Sequence, residues 1–140
     1  MNREEILEFV RRNTTAFMGT VDGAEPCVRA MSTPHVDDNG LTFCTGTGKD
    51  VCRQLLANPL VELCYWSPQE KLQVRIRGKM EKLDDEALKK HIVEKIFTFL
   101  QPVVEQFGWD TLTLFRISSG QARTWSAENP AELNPVVYDF

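Results

Sequence analysis

The chain has 140 residues, 42% of them hydrophobic and 26% charged, with a formal net charge of −4. A chain of this size is one domain, 1–140, by default, and it buries roughly two-thirds of the surface its unfolded form exposes, enough for a proper core. The acidic balance argues against a general nucleic-acid surface; no apolar run approaches the ~18 residues of a membrane span and no apolar leader follows Met1, so a cytoplasmic protein without a membrane partner is expected.

Residues 2–12 read as an amphipathic helix in which Asn2 caps, Glu5 completes a capping-box pair, and Ile6, Leu7, Phe9 and Val10 share the buried face. Residues 16–21 then read as a strand, Asp22-Gly23 as a tight turn and 26–32 as the returning strand. A second turn, Asp37-Asp-Asn-Gly40, leads into a strand at 41–45, so the first three strands are expected to form an antiparallel meander.

The stretch 41–59 organises the rest. After the strand come Gly46 and Gly48 in a short loop, Lys49, and a helix at about 50–57 that Asn58-Pro59 stops. Glycines at both loop positions let backbone N–H groups turn inward as a concave nest; the helix adds the positive end of its dipole and Lys49 a full charge, a combination that suits a phosphate. A plain strand-to-helix connection is the alternative. The stretch is no P-loop, because Phe43 and Asp50 stand where that motif needs glycine and Ser or Thr, and no GxGxxG follows a strand.

Beyond Pro59, residues 60–66 read as a strand and 72–83 as a long one with clean alternation, Val74 and Ile76 facing one way and Gln73, Arg75 and Arg77 the other. Asp84-Asp85 can start a helical insertion at about 84–107, with Leu88, Ile92, Ile96 and Leu100 at a spacing of four until Pro102 interrupts it. Residues 111–118 and 121–126, joined at Ser119-Gly120, read as a final hairpin, and the tail with Pro130 and Pro135 as extended.

Six or seven mainly antiparallel strands with helical insertions predict a mainly β protein with helices, a small closed barrel whose interior is filled by side chains and whose ligand lies outside it. A symmetric dimer could complete a cleft that one chain only half forms. Cys27, Cys44, Cys52 and Cys64 form no CxxC pair and read as reduced, mostly buried thiols; His35 and His91 lack any metal-binding spacing, and His91 reads as a solvent-side residue.

In order and spacing, the segments Val28-Arg-Ala-Met-Ser32, Leu41-Thr-Phe-Cys-Thr45, the glycine loop with Lys49, the helix ending Asn58-Pro59, Val61-Glu-Leu63 and Gln73-Val-Arg-Ile-Arg-Gly-Lys79 resemble the pyridoxamine 5'-phosphate oxidase-like flavin-binding split-barrel superfamily. The likeness runs from about Phe17 to Trp125 and is strongest to the small nitroimidazole-reductase-like (NimA/NimC-type) and general-stress-protein-like members. It implies a homodimer of six- to seven-stranded antiparallel split barrels with two FMN molecules at the subunit interface. Arg29 then matches the arginine that reaches the FMN phosphate, Ala30, Met31 and Ser32 the segment along the isoalloxazine ring, and Thr45 the strand-end residue beside it. Gly48 and Lys49 match the phosphate loop, Gln73 a polar residue from a neighbouring strand or subunit, and Trp125 a late-strand residue near the cofactor.

Physical chemistry agrees with a phosphate at Arg29, which can grip it with two parallel N–H bonds, although a surface salt bridge suits the same residue. For Gln73, Arg75 and Arg77 the alternative is the wet face of an amphipathic strand, and for Trp66 and Trp125 it is packing. Two departures argue against vitamin B6 phosphate oxidation. Pro34 stands where pyridoxamine phosphate oxidase carries a lysine, and no basic residue follows Arg123. The expected activity is that of an FMN-dependent oxidoreductase passing electrons from NADH or NADPH to a small acceptor such as a nitroaromatic or quinone. With the chemistry carried by FMN, no catalytic protein acid or base is expected. The alternatives are a non-catalytic FMN-binding, storage or stress-response protein and a cofactor-free interaction module.

Overall fold

The computed structural model describes residues 1–133 and 135–140, so position 134 of the tail lies outside the described residues. Helix α1 (Arg3–Arg12) starts as the capping box requires: Glu5 N–H donates to Asn2 Oδ1 (2.9 Å) and Asn2 N–H to Glu5 Oε2 (2.8 Å). Its buried residues are Ile6, Leu7, Phe9 and Val10, which belong to the main hydrophobic core.

Strands β1 (Thr15–Asp22) and β2 (Glu25–Ser32) form a hairpin whose turn places Gly23 at φ +62°. The third strand of the expected meander does not join them. A short strand missed by the sequence pattern, β3 (His35–Asp37), pairs instead with β4 (Gly40–Gly46), and both belong to a second sheet. Gly40 makes that turn possible, with φ +124° and no room for a Cβ, which would stand 2.1 Å from Ile117 O.

Helix α2 (Asp50–Ala57) leads to β5 (Leu60–Ser67), which pairs with both β1 and β6 (Leu72–Lys79). The long strand expected at 72–83 breaks at Met80, whose N–H donates to Pro59 O (2.8 Å). Beyond the break, β7 (Glu81–Leu83) changes sheet and pairs with β8 (Leu112–Ile117). The expected final hairpin is likewise divided: β8 lies beside β4 and β7, whereas β9 (Gly120–Ser126) lies beside β6 and β10 (Val137–Asp139). Part of the tail is therefore a strand.

The result is a six-stranded sheet ordered β10-β9-β6-β5-β1-β2 and a four-stranded sheet ordered β3-β4-β8-β7, all neighbours antiparallel. The expected closed barrel is not formed. Ten strands rather than six or seven are present among the described residues, and the edges of both sheets stay open. Met18, Leu63, Tyr65, Val74 and Ile76 of one sheet and Leu41, Phe43, Phe115 and Ile117 of the other join one core.

The insertion after β7 is not a single helix. Helix α3 (Glu86–His91) passes into a π-helical turn, Ile92–Ile96, where Phe97 N–H reaches Ile92 O (2.7 Å). A 3₁₀ turn at Thr98–Leu100 precedes α4 (Gln101–Phe107). Pro102 sits in the first turn of α4 and so opens a helix rather than interrupting one, because its missing N–H has no intrahelical partner there. His91 is exposed, whereas Cys52 is buried and Cys27, Cys44 and Cys64 are half-buried free thiols.

Candidate functional site

Edge strand β2, the end of β4, the start of α2 and the 97–103 segment enclose a cavity of about 650 Å³. Of the sequence-predicted residues, Arg29, Ala30, Met31, Ser32, Thr45 and Lys49 line it. Arg29 and Lys49 also line an adjoining, more open cleft that contains Gly48 and Gln54. Seven of the nine candidates thus gather around one strand edge and one helix start.

The loop at 46–49 differs from the expected nest. Neither Gly46 nor Gly48 takes a positive φ, and two of the amides are turned to carbonyls: Thr47 N–H to Thr111 O (2.8 Å) and Lys49 N–H to Gly46 O (3.0 Å). Thr47 Oγ1 adds bonds to Asp110 O (2.7 Å) and Thr113 Oγ1 (2.8 Å), so the loop is tied to the start of β8. Gly46 packs under the Lys49 stem, where a Cβ would stand 3.3 Å from Lys49 Cγ. The site's positive charge therefore comes from side chains and the α2 terminus. Among the described residues, neither Lys49 nor Arg29 has a carboxylate partner.

Arg29 is held by neutral groups. Its Nη1 donates to Met18 O (3.2 Å) and Thr20 Oγ1 (2.6 Å), and its Nη2 to Gln54 Oε1 (2.7 Å). Among the described residues, no surface salt bridge forms at this residue. Apart from Thr111, the remaining side-chain walls are mostly apolar: Val51 of α2, Leu112 of β8, and Phe97, Phe99, Leu100 and Val103 of the broken insertion. Cys44 also lines the cavity, and burial pushes its thiol up to about 11, against a smaller opposing pull from Lys89.

Gln73 and Trp125 lie elsewhere. They are cross-strand partners on β6 and β9, and they line a separate cavity of about 170 Å³ with Arg75 and Arg123. From β2 to β9 the sheet order counts four strand spacings, or roughly 19 Å at about 4.8 Å each, so one protomer does not bring Trp125 to Arg29. The expected wet strand face is present around Arg75 and Arg77, which both pair with Glu62 (3.3 and 2.7 Å). Trp66 and Trp125 pack on each other, ring centroids 6.3 Å apart, while staying 40% and 37% exposed.

Sequence reasoning missed Gln54, Thr20 and the aromatic wall at Phe97 and Phe99. Gln54 left one trace: a polar residue set among Val51, Cys52 and Leu55 on the buried face of a short helix. Among the described residues, no group of three or more His, Cys, Asp or Glu side chains is placed to hold a metal, and no helix is long and apolar enough to cross a membrane.

The family model described as pyridoxamine 5'-phosphate oxidase matches residues 3–126. The chain belongs to the pyridoxamine 5'-phosphate oxidase family. One curated family relative, the pyridoxine/pyridoxamine 5'-phosphate oxidase of Pseudomonas putida (strain W619), is 37% identical over 67 residues, which is 47% of this chain and 31% of that enzyme. The match thus spans about a third of that relative's length. Among solved structures, a NimC/NimA family protein from Clostridium acetobutylicum superposes with a TM-score of 0.74 at 17% identity, covering 98% of this chain and 91% of its own. A pyridoxamine 5'-phosphate oxidase-related, FMN-binding protein from Nostoc punctiforme PCC 73102 gives a TM-score of 0.66 at 18% identity, covering 90% and 84%. These likenesses establish a pyridoxamine 5'-phosphate oxidase-like fold for nearly all of the chain.

Proposed function

We propose that this chain is an FMN-dependent oxidoreductase that takes electrons from a reduced nicotinamide and delivers them to a small acceptor of nitroaromatic or quinone type. One observation carries the proposal: Arg29 and Lys49, two cations without carboxylate partners, stand at the junction of an apolar cavity and an open cleft. The residues fit FMN. Arg29 and Lys49 offer donors and charge to a phosphate, the start of α2 adds its dipole, and the cavity of about 650 Å³ falls within the roughly 300–1,000 Å³ usual for such ligands. The FMN-binding relative from Nostoc supports the same cofactor.

Ala30, Met31, Ser32 and Thr45 would then hold the ring within the cavity they line, and Phe97 and Phe99 would add apolar cover. When bound, FMN would supply the hydride-accepting and electron-donating chemistry, and the chain's own residues would position it and exclude water. Pro34, and the absence of Lys and Arg from 124–140, depart from the pattern by which pyridoxamine phosphate oxidase holds its substrate phosphate, so vitamin B6 phosphate oxidation is not part of the proposal.

A second copy of the chain is part of the proposal. The outer face of the six-stranded sheet carries Phe17, Val28, Trp66 and Trp125, all exposed, with Gln73 and Arg123 among them. Two such faces packed about a two-fold axis would cover these side chains and bring Gln73 and Trp125 of one copy toward the Arg29 cavity of the other. Flavin absorbance of the purified protein, anaerobic bleaching by NADH or NADPH, and reoxidation by a nitro compound test the activity. Bound flavin that neither nucleotide reduces would overturn the catalytic part and leave a flavin-binding protein.

A further inference from the structure

Arg29 presents five N–H donors in one plane. Three are taken inside the protein, two on Nη1 by Met18 O and Thr20 Oγ1 and one on Nη2 by Gln54 Oε1. Thr20 Oγ1, which accepts from Arg29, donates its own O–H to Gln54 Oε1 at 2.6 Å, so every hydrogen bond in the triangle has one donor and one acceptor. Because Gln54 Oε1 and Thr20 Oγ1 take the end of the fork where Nη1 and Nη2 lie side by side, the donors left over are Nε–H and the outer Nη2–H. These two are parallel and form the edge that grips a phosphate with two bonds.

Among the described residues Nε donates to no protein group. Arg29 is only half-buried and lines both the cavity and the open cleft, so its side chain borders space a ligand can enter.

We infer, on the FMN proposal above, that Gln54 and Thr20 are positioning residues that turn this edge of Arg29 toward the phosphate. Three features make them suited to that task. Both are nearly sealed from solvent, at 4% and 3% exposure, so water has little access to the two acceptors that hold Arg29. They come from different elements, α2 and β1, and lock the β2 side chain between them. Both are uncharged, so Arg29 is oriented without being neutralised, which a carboxylate at position 54 would do. The amide of Gln54 is itself fixed, with Nε2 toward Cys27 Sγ at 3.7 Å and its oxygen toward the guanidinium.

The test compares affinities for FMN and riboflavin, which share the ring and differ in the phosphate, by quenching of flavin fluorescence. Gln54→Met and Thr20→Val keep side-chain volume and remove the acceptors; Thr20→Ser keeps the hydroxyl. The preference for FMN over riboflavin should fall about tenfold in Gln54→Met and in Thr20→Val, with riboflavin affinity held and the preference kept in Thr20→Ser. Equal losses for both ligands, or an unchanged preference, would overturn the inference and reduce the triangle to core packing. If Gln54→Met does not fold, the Thr20→Val and Thr20→Ser pair decides alone. Failure of the FMN proposal looks different: the unmodified protein would bind neither flavin, or both equally.

Discussion

Gly78 and Gly120 face each other across the β6–β9 ladder, and neither has room for a methyl group. A Cβ on Gly78 would stand 2.7 Å from Ser119 O, and one on Gly120 would stand 2.2 Å from Arg77 O. Both lie where the chain crosses between sheets, β6 giving way to β7 and β8 to β9. Replacing Gly120 with Ala forces backbone apart at that crossing and should cost about 2–4 kcal/mol of stability, at the upper end for a point substitution. Urea unfolding of the variant measures this, and a loss below ~1 kcal/mol would show that the crossing can relax.

Arg29→Ala should weaken FMN binding by about 1.5–3 kcal/mol, the range for a hydrogen bond to a charged group. The same change leaves Thr20 and Gln54 without their shared donor, so stability should be measured alongside. Titration calorimetry with FMN reads the affinity. Unchanged flavin binding would mean that the phosphate sits elsewhere.

Much of this fold is legible along the chain, because α1, β1, β2, β5 and the start of β6 are written in local signals: a cap, a period of two, a turn glycine. The division into two sheets is not, since it depends on which distant strands pair. Nothing in 111–126 distinguishes a hairpin from two strands in different sheets; the deciding fact is that Gly120 meets the backbone of Arg77. Strand β3 is too short for alternation to register. In the insertion, a spacing of four continues through Ile92 and Ile96 although the backbone there makes a π-turn, which the pattern of side chains does not encode. The site was legible on its β2 and β4 sides, where motif order is strong. Its aromatic wall comes from that same broken insertion, and the support for Arg29 comes from a glutamine that looks like any polar residue on a helix.

The exposed outer face of the six-stranded sheet leads to a prediction about assembly. Phe17 is 49% exposed and lies between Ala30 and Cys64 in one cross-strand row, so Phe17→Glu should be tolerated by a lone protomer. In a dimer packed on this face it buries a charge. Sedimentation velocity at micromolar concentration should give a dimer for the unmodified chain and a monomer for Phe17→Glu, with flavin retention falling in parallel. A chain that sediments as a monomer at every concentration, yet holds flavin, would sink the shared-site arrangement.

Cys44 supplies a pH dependence whose direction is set by burial. Its thiol ionises near 9 in an unfolded chain but is pushed up to about 11 in the folded one, chiefly by desolvation, with Lys89 pulling the other way. Between these values the folded state keeps a proton that the unfolded state has lost. Since stability falls with pH wherever the native state binds more protons, this contribution is fully present below about pH 9 and is lost as the pH rises toward about 11. Tyr65, sealed in the core and sharing a 2.8 Å hydrogen bond with Thr33, is shifted upward by burial as well and adds a similar loss above its ordinary range. Cys44→Ala should therefore be somewhat less stable at neutral pH, because it leaves a small cavity, yet show a shallower decline between pH 9 and 11. Thermal melts of both proteins across that range check the slopes, and parallel declines would show that the Cys44 thiolate is solvated in the folded chain.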